Sequence, residues 1–421
     1  MKKLKYIFKK KEHKVLIENF TSLSLLQIVN YVLPLIVLPY LIRVLGVEKF
    51  GLVMFAQAFI MFFNIIVDYG FNLSATRDIS INRDNKEKIT EIFSSVIIIK
   101  LALIIISFIL LSVIVFSFEK FFSDWKLYYL TFLWVIGQAL FPIWYFQGME
   151  RMKYITFVNI TSKVIFTLLI FIVIQNENDY IYVPLLNGLG FMIGGIISLW
   201  IIHKNFNQKF KPCSYNVLKQ YFVDSSQFFL SRVSVSIYTS SNVFVLGLFT
   251  NNIMVGYYSI AEKLYRALQQ IYHPIVQALY PHVAKQRNIK LFKKIFSIVT
   301  ILNILGVILL FFIGEYIFNI LFTTSIGGES LGVFHILLMV SLIVVPSMLL
   351  GYPFLAALGF PKYANMSVII GSVFHLIGLS VLAILDYITI YSVAFVVLGT
   401  EILVLSSRVY WIRSNKLWIK L

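Results

Sequence analysis

Charge is scarce in this chain. Only 13% of its 421 residues are Asp, Glu, Lys or Arg, against about 25% in an ordinary soluble domain. So few charges cannot cover the apolar surface of a water-soluble fold of this length. Cysteine is scarcer still. Cys213 stands alone, which excludes an internal disulfide, and no Cys-x-x-Cys pair or Cys/His cluster suggests a metal site. There is no Gly-x-x-x-x-Gly-Lys-Ser/Thr loop, so direct use of ATP is not expected. His-Glu-x-x-His and Gly-x-Ser-x-Gly are also missing, and with them the commonest hydrolytic sites. No external connection is long enough to fold into an active site, the longest non-apolar one being Thr323–Ser330. That weighs against a membrane glycosyltransferase, ligase or polymerase, which would need an extracytoplasmic platform for its chemistry.

What is present is apolar. Hydrophobic residues make up 59% of the chain, with 39 Phe, 24 Tyr and 6 Trp, and the mean hydropathy is +0.85. Lipid must be the solvent for much of it, with Tyr and Trp suited to the interfacial belts. A membrane helix needs roughly 20 mostly apolar residues. Twelve segments qualify: 20–45, 50–69, 92–117, 127–147, 155–174, 181–202, 222–249, 253–280, 295–321, 331–358, 364–385 and 388–412. The first follows a basic stretch but has no small-residue cleavage site, so a retained helix is expected rather than a signal peptide.

The net charge of +17 would suggest nucleic acid in a soluble protein; in a membrane protein it orients the chain. With the N-terminus in the cytoplasm, cytoplasmic segments hold 26 Lys and Arg and external loops hold 4: Arg43, Lys49, Lys120 and Lys126. That asymmetry obeys the positive-inside rule. One missed span would invert everything after it, so both termini are expected in the cytoplasm. External connections are acidic instead, as at Glu177 and Asp179.

The spans fall into two sets of six, 1–202 and 221–421, joined by a basic cytoplasmic connector at 203–220. Two patterns recur. Gly51 to Ala56-Gln57 matches Gly256 to Ala261-Glu262, and Pro142, Gly148 and Lys153-Tyr154 match Pro353, Gly359 and Lys362-Tyr363. Both sets begin inside. The expected fold is therefore an all-α membrane protein of two six-helix lobes related by a parallel pseudo-twofold repeat, with a central site between them.

Ionisable groups within spans cost several kcal/mol each unless paired or wet, and so are functional candidates. The bases are Lys100, Lys163, Arg232, Lys263, Arg266 and Arg408, and the acids Asp68, Asp224, Glu262 and Glu401. Helical spacing sets Thr156, Asn159, Lys163 and Thr167 on one stripe, and Ser225, Arg232, Ser236 and Thr239 on another. Glu262 and Arg266 are i,i+4 neighbours with the acid first, the favourable order. Lys263 leaves that triplet one positive charge in surplus. The functional reading is a wet, cationic cavity that holds an anionic head group. The plainer reading is a structural Glu262–Arg266 pair, with Lys100 and Arg408 snorkelling to an interface. Asp68 and Asp224 sit near cytoplasmic ends, where water can reach them. Pro34, Pro39 and Pro274 interrupt spans and are candidate hinges. His273, His335 and His375 read as isolated, without catalytic roles.

The chain resembles the Wzx-type O-antigen flippases. The resemblance rests on Ser22 through Asn30, Pro34, Pro39 and Gly46; on Phe50-Gly51 through Gln57-Ala58 and Asp68 through Arg77; on Pro142 through Glu150; on Phe228 through Arg232, Tyr257 through Lys263 and Ala278 through Pro281; and on Gly351-Tyr-Pro353 to Gly359. Five such stretches in order cover the whole chain. The resemblance implies the polysaccharide-transporter branch of the MATE-like flippases, in a bacterial inner membrane. It implies a cationic cavity and an undecaprenyl-diphosphate-linked repeat unit as cargo. A coupled Na+ or H+ is implied, but no other cofactor and no nucleic acid. A polysaccharide polymerase and a chain-length regulator are the expected protein partners. The expected cargo-binding cations are Lys263, Arg266, Arg232, Lys163, Lys100 and Arg77. Glu262, Asp224 and Asp68 are the expected coupling or gating acids. Lys100 and Lys163 lie outside the matched stretches, so their assignment rests on helix position. A multidrug exporter of the same superfamily is the alternative, but cationic drugs need acidic cavities.

Overall fold

The computed structural model describes residues 2–322 and 324–418, with side chains except those of 2–20, 23, 24, 231, 232, 234, 235, 237–239, 286 and 324–327. Among the described residues there is no strand. Helix is what a lipid-embedded chain requires, because it satisfies its own backbone hydrogen bonds.

The first half runs α1 (Lys2–Asp68), α2 (Phe71–Ile81), α3 (Lys86–Ser117), α4 (Glu119–Phe122), α5 (Trp125–Leu140), α6 (Ile143–Gly148), α7 (Met152–Val173) and α8 (Tyr182–Phe206). The second runs α9 (Tyr215–Phe249), α10 (Asn252–Gln270), α11 (His273–Gln286), α12 (Ile289–Leu321), α13 (Thr324–Leu350), a π-helical turn (Gly351–Ala356), α14 (Pro361–Ile384) and α15 (Ile390–Ser414). The polar stretch 323–330 is thus helical from Thr324, not the external loop expected; Thr323 itself lies outside the described residues.

Nine helical stretches among the described residues are long and apolar enough to cross a membrane. The chain is a multi-pass membrane protein. The first stretch, Leu25–Ile81, has 57 residues and takes in two of the expected spans. Its helix leaves helical geometry at Gly46, with φ 70°. That left-handed conformation suits glycine. Pro34 and Pro39 do not interrupt the helix as expected; it runs through both. A proline removes one backbone bond and can bend a helix without ending it. α9, whose side chains are described only in part, gives a shorter apolar stretch, Ser240–Phe249, and the α10–α11 pair falls outside the nine. α10 carries Glu262, Lys263 and Arg266, and charge lowers its hydropathy.

The breaks repeat between the halves. α1 and α2 are separated at Tyr69-Gly70, and α10 and α11 at Ile271-Tyr272, with Pro274 in the first turn of α11. A second break carries one hydrogen-bond pattern twice. The amide of Arg151 donates to Phe146 O at 2.8 Å and Tyr154 to Arg151 O at 3.2 Å; Phe360 donates to Leu355 O at 2.9 Å and Tyr363 to Phe360 O at 3.2 Å. The left-handed residue is Glu150 in one copy and Gly359 in the other. Glu150 therefore matches Gly359, so the sequence pairing of Gly148 with Gly359 is two residues out of step, while Lys153-Tyr154 and Lys362-Tyr363 do align.

Two compact units emerge: Met1–Val37 with Ala56–Val233, and Leu38–Phe55 with Ser234–Leu421. In the first, α5 packs on α8 through small residues. A Cβ on Gly137 would lie 2.5 Å from Met192 N, and one on Gly195 2.7 Å from Leu140 Cβ. Close backbone approach of this kind replaces the hydrophobic drive that lipid removes. In the second, α13 packs on α10, α12 and α15, and α14 on α15. Large apolar side chains such as Ile105, Ile301 and Phe312 point outward, while Ser94, Ser107, Ser341 and Ser367 point inward. That pattern fits a lipid solvent.

Candidate functional site

The α10 triplet folds as its spacing predicts. Arg266 Nη2 lies 2.9 Å from Glu262 Oε1, one helical turn away. The Arg266 side chain is 46% exposed and that of Glu262 14%. A pair this open contributes only about 0.3–0.5 kcal/mol to the helix. Arg266 is the more exposed member of the pair. Lys263, half-buried on the adjoining face, gives the triplet its surplus positive charge. The side chains of Arg232 and Thr239 on α9 lie outside the described ones. Asp224 is exposed, and Ser225 bonds Ser74 at 2.8 Å.

In the first unit the bases have partners that the sequence did not pair. Lys100 is 3% exposed, and its Nζ lies 3.6 Å from Asp68 Oδ1. Asn72 donates to the same carboxylate oxygen at 2.6 Å. The sequence reading set Lys100 and Asp68 in separate roles, as a cargo cation and a coupling acid; the fold makes them one buried pair. Lys163 donates to Asn30 Oδ1 at 2.7 Å and lies 5.7 Å from the Phe191 ring centroid. Thr156, two turns earlier, donates to Ser22 O. The polar stripe of α7 thus faces α1. Arg77 is exposed, pairs with Asp78 at 2.8 Å, and lies 5.4 Å from the Phe228 ring.

Arg408 does not snorkel. It is 7% exposed and donates to Ser367 Oγ, Ser347 O and Ser347 Oγ. Its planar fork joins α13, α14 and α15, a task suited to guanidinium. Nor is His375 isolated: it is fully buried and bonded through both ring nitrogens. Partners this distant in sequence leave no mark on local spacing. The Asp68–Asn72 bond, at i,i+4, was the one legible signal missed. The His335 ring packs against Phe311 at a tilt of 30°, centroids 4.4 Å apart.

The chain is similar to known proteins along nearly its whole length. Residues 16–287 match the family described as "Polysaccharide biosynthesis protein". It is 30% identical over 413 residues to the "Putative O-antigen transporter" of Escherichia coli (strain K12), covering 95% of this chain and 97% of that one. A protein of the same description from Shigella dysenteriae is 30% identical over 395 residues, covering 92% and 97%. In fold it resembles the lipid II flippase MurJ in an inward closed conformation, with a TM-score of 0.72, 14% identity, and coverage of 94% and 87%. An inward-facing multidrug-resistance MATE transporter gives 0.68 at 15% identity, covering 96% and 99%. By the extent of these matches, the chain belongs to the polysaccharide biosynthesis protein family.

Proposed function

We propose that this protein is a flippase. It moves undecaprenyl-diphosphate-linked O-antigen repeat units from the cytoplasmic to the periplasmic leaflet of a bacterial inner membrane. It works by alternating access through a cationic cavity, with twelve spans in two six-helix lobes linked along the chain by the connector 203–220 and both termini cytoplasmic. It is a transporter and not an enzyme. A polysaccharide polymerase and a chain-length regulator act on what it delivers.

The observation that carries this reading is the α10 triplet: an exposed Arg266 beside Lys263, with one acid among three charges. A diphosphate cannot enter hydrocarbon unaided, because stripping its water is prohibitive. Guanidinium and ammonium donors replace that water with charge-assisted bonds, while the polyprenyl tail stays in lipid. An inside-negative potential helps the outward step by about 2.3 kcal/mol per charge per 100 mV. Lys163 and Arg77 add positive charge, and Arg232 lies on the helix before the triplet. Asp224 and the Asp68–Lys100 pair are candidates for gating. Gly46, Pro34, Pro39 and Pro274 are candidates for bending.

The test is complementation of strains that lack their O-antigen flippase and carry different repeat units. Restored surface O-antigen supports the reading. Failure in every strain, with protein in the membrane, overturns it. A multidrug exporter would instead confer drug resistance without restoring display.

A further inference from the structure

The second unit holds a buried ionisable group that the cargo site does not use. His375 on α14 is fully buried. Its Nδ1 lies 3.0 Å from Thr400 Oγ1 on α15, and its Nε2 2.9 Å from Asn242 Oδ1 on α9. Thr400 donates its only hydroxyl proton to Val396 O at 2.7 Å. In that arrangement its oxygen accepts from a protonated Nδ1, and with Nε2 donating to Asn242 Oδ1 the ring is an imidazolium. Turned toward the ring, the same hydroxyl donates to Nδ1 and the ring is neutral, with Nε2–H still on Asn242 Oδ1. Hydroxyl orientation follows the hydrogen-bond network around it. Both ring nitrogens are thus hydrogen-bonded in either protonation state, and the two states differ by one hydroxyl rotation. Leaving a buried ring nitrogen unpaired would cost about 1–3 kcal/mol; neither state does so.

The surroundings connect this ring to the α10 triplet. α10 packs against α15, the helix of Thr400, and Tyr258 is fully buried on α10. Tyr258 and Glu262 are one turn apart on α10, and Glu262 holds the exposed Arg266. The other charged groups of the packed elements are Glu401, next to Thr400, and Arg408 two turns on; α14 itself carries Lys362 at its start. The π-helical turn contributes Tyr352, bonded to Asn365.

We propose that His375 is the proton-binding site of a proton-coupled transporter, with Thr400 as its two-state partner and Asn242 as the fixed acceptor. A proton taken up there adds a charge within the same unit as Lys263 and Arg266, and so strengthens their hold on an anionic cargo; its release weakens that hold. This rests on the flippase reading for the cargo, but the proton site stands on its own geometry.

The test uses the full chain in lipid nanodiscs. Proton uptake is titrated from about pH 8 to about pH 4, a range wide enough to take in a buried imidazole as well as an exposed one near 6.5. The H375Q variant is expected to take up one proton fewer per chain; equal uptake overturns the proposal. In N242D a carboxylate beside the ring is expected to move the half-point of that uptake upward by about one unit or more. An unmoved half-point overturns it even if H375Q folds poorly. In proteoliposomes with a fluorescent undecaprenyl-diphosphate oligosaccharide, a pH gradient is expected to speed wild-type flipping at least threefold and to leave H375Q unaffected. Equal stimulation of both overturns the coupling. A wild type that flips nothing but loses a titrating proton in H375Q overturns the flippase reading and supports the site.

Discussion

Gly51 and Gly256, the residues that open the two copies of one sequence repeat, touch each other. A Cβ on Gly51 would lie 2.7 Å from Gly256 N and overlap Asn252 O; a Cβ on Gly256 would lie 2.5 Å from Val47 O. Each glycine leaves room for the other's backbone. Adding a methyl to either forces the crossing apart, and overpacking of this kind costs about 1–3 kcal/mol. Gly51→Ala and Gly256→Ala are each expected to lower the melting temperature of the purified protein. The double variant is expected to cost less than both combined, because the sites share one contact. Additive losses in a thermal-shift series would contradict this.

Lys263→Ala is expected to cut O-antigen display about tenfold or more at wild-type protein level, the loss of one charge-assisted bond of about 1.5–3 kcal/mol. Lys263→Arg is expected to retain most display. Normal display in Lys263→Ala, read by gel analysis of surface polysaccharide, would remove this lysine from the cargo site.

Lys100 and Asp68 are expected to behave as one structural unit. Removing one member of a buried ion pair leaves the other charge uncompensated, at about 3–5 kcal/mol. Lys100→Met is expected to lower membrane protein level and thermal stability sharply. Lys100→Met with Asp68→Asn is expected to recover both, since the new amide oxygen still accepts from Asn72. A double variant that is stable but fails to display O-antigen would return Lys100 or Asp68 to the transport cycle.

Gly359→Ala isolates a backbone effect. Its φ is 99°, and nothing lies within 4 Å of an added Cβ. The cost is then conformational alone, roughly 1–2 kcal/mol. A drop in melting temperature with no change in cargo dependence is expected. An unchanged melting temperature would mean that this turn relaxes.

Much of the fold was legible, because lipid imposes a simple rule: a long apolar run must be a helix. The runs at 92–117, 155–174 and 364–385 lie within α3, α7 and α14, give or take a residue at their ends. The span richest in charge, 253–280, with Glu262, Lys263 and Arg266, is the least apolar, and there the pattern spoke for a site more than for a span. The Glu262–Arg266 pair was readable because i,i+4 neighbours meet on any helix. Helical breaks were less so. Proline announces a possible bend, but the break in α1 falls at Gly46, where a left-handed backbone is needed.

By itself the sequence determined the solvent, the helical class and the local faces, since hydropathy and a 3.6-residue period are properties of short windows. Only the tertiary structure decided which groups meet across helices: Lys100 with Asp68, Lys163 with Asn30, and His375 with Asn242 and Thr400. The period says which way a side chain points and nothing of what waits there. Those partners are set by how the helices pack, and packing is fixed by contacts between residues far apart in the chain.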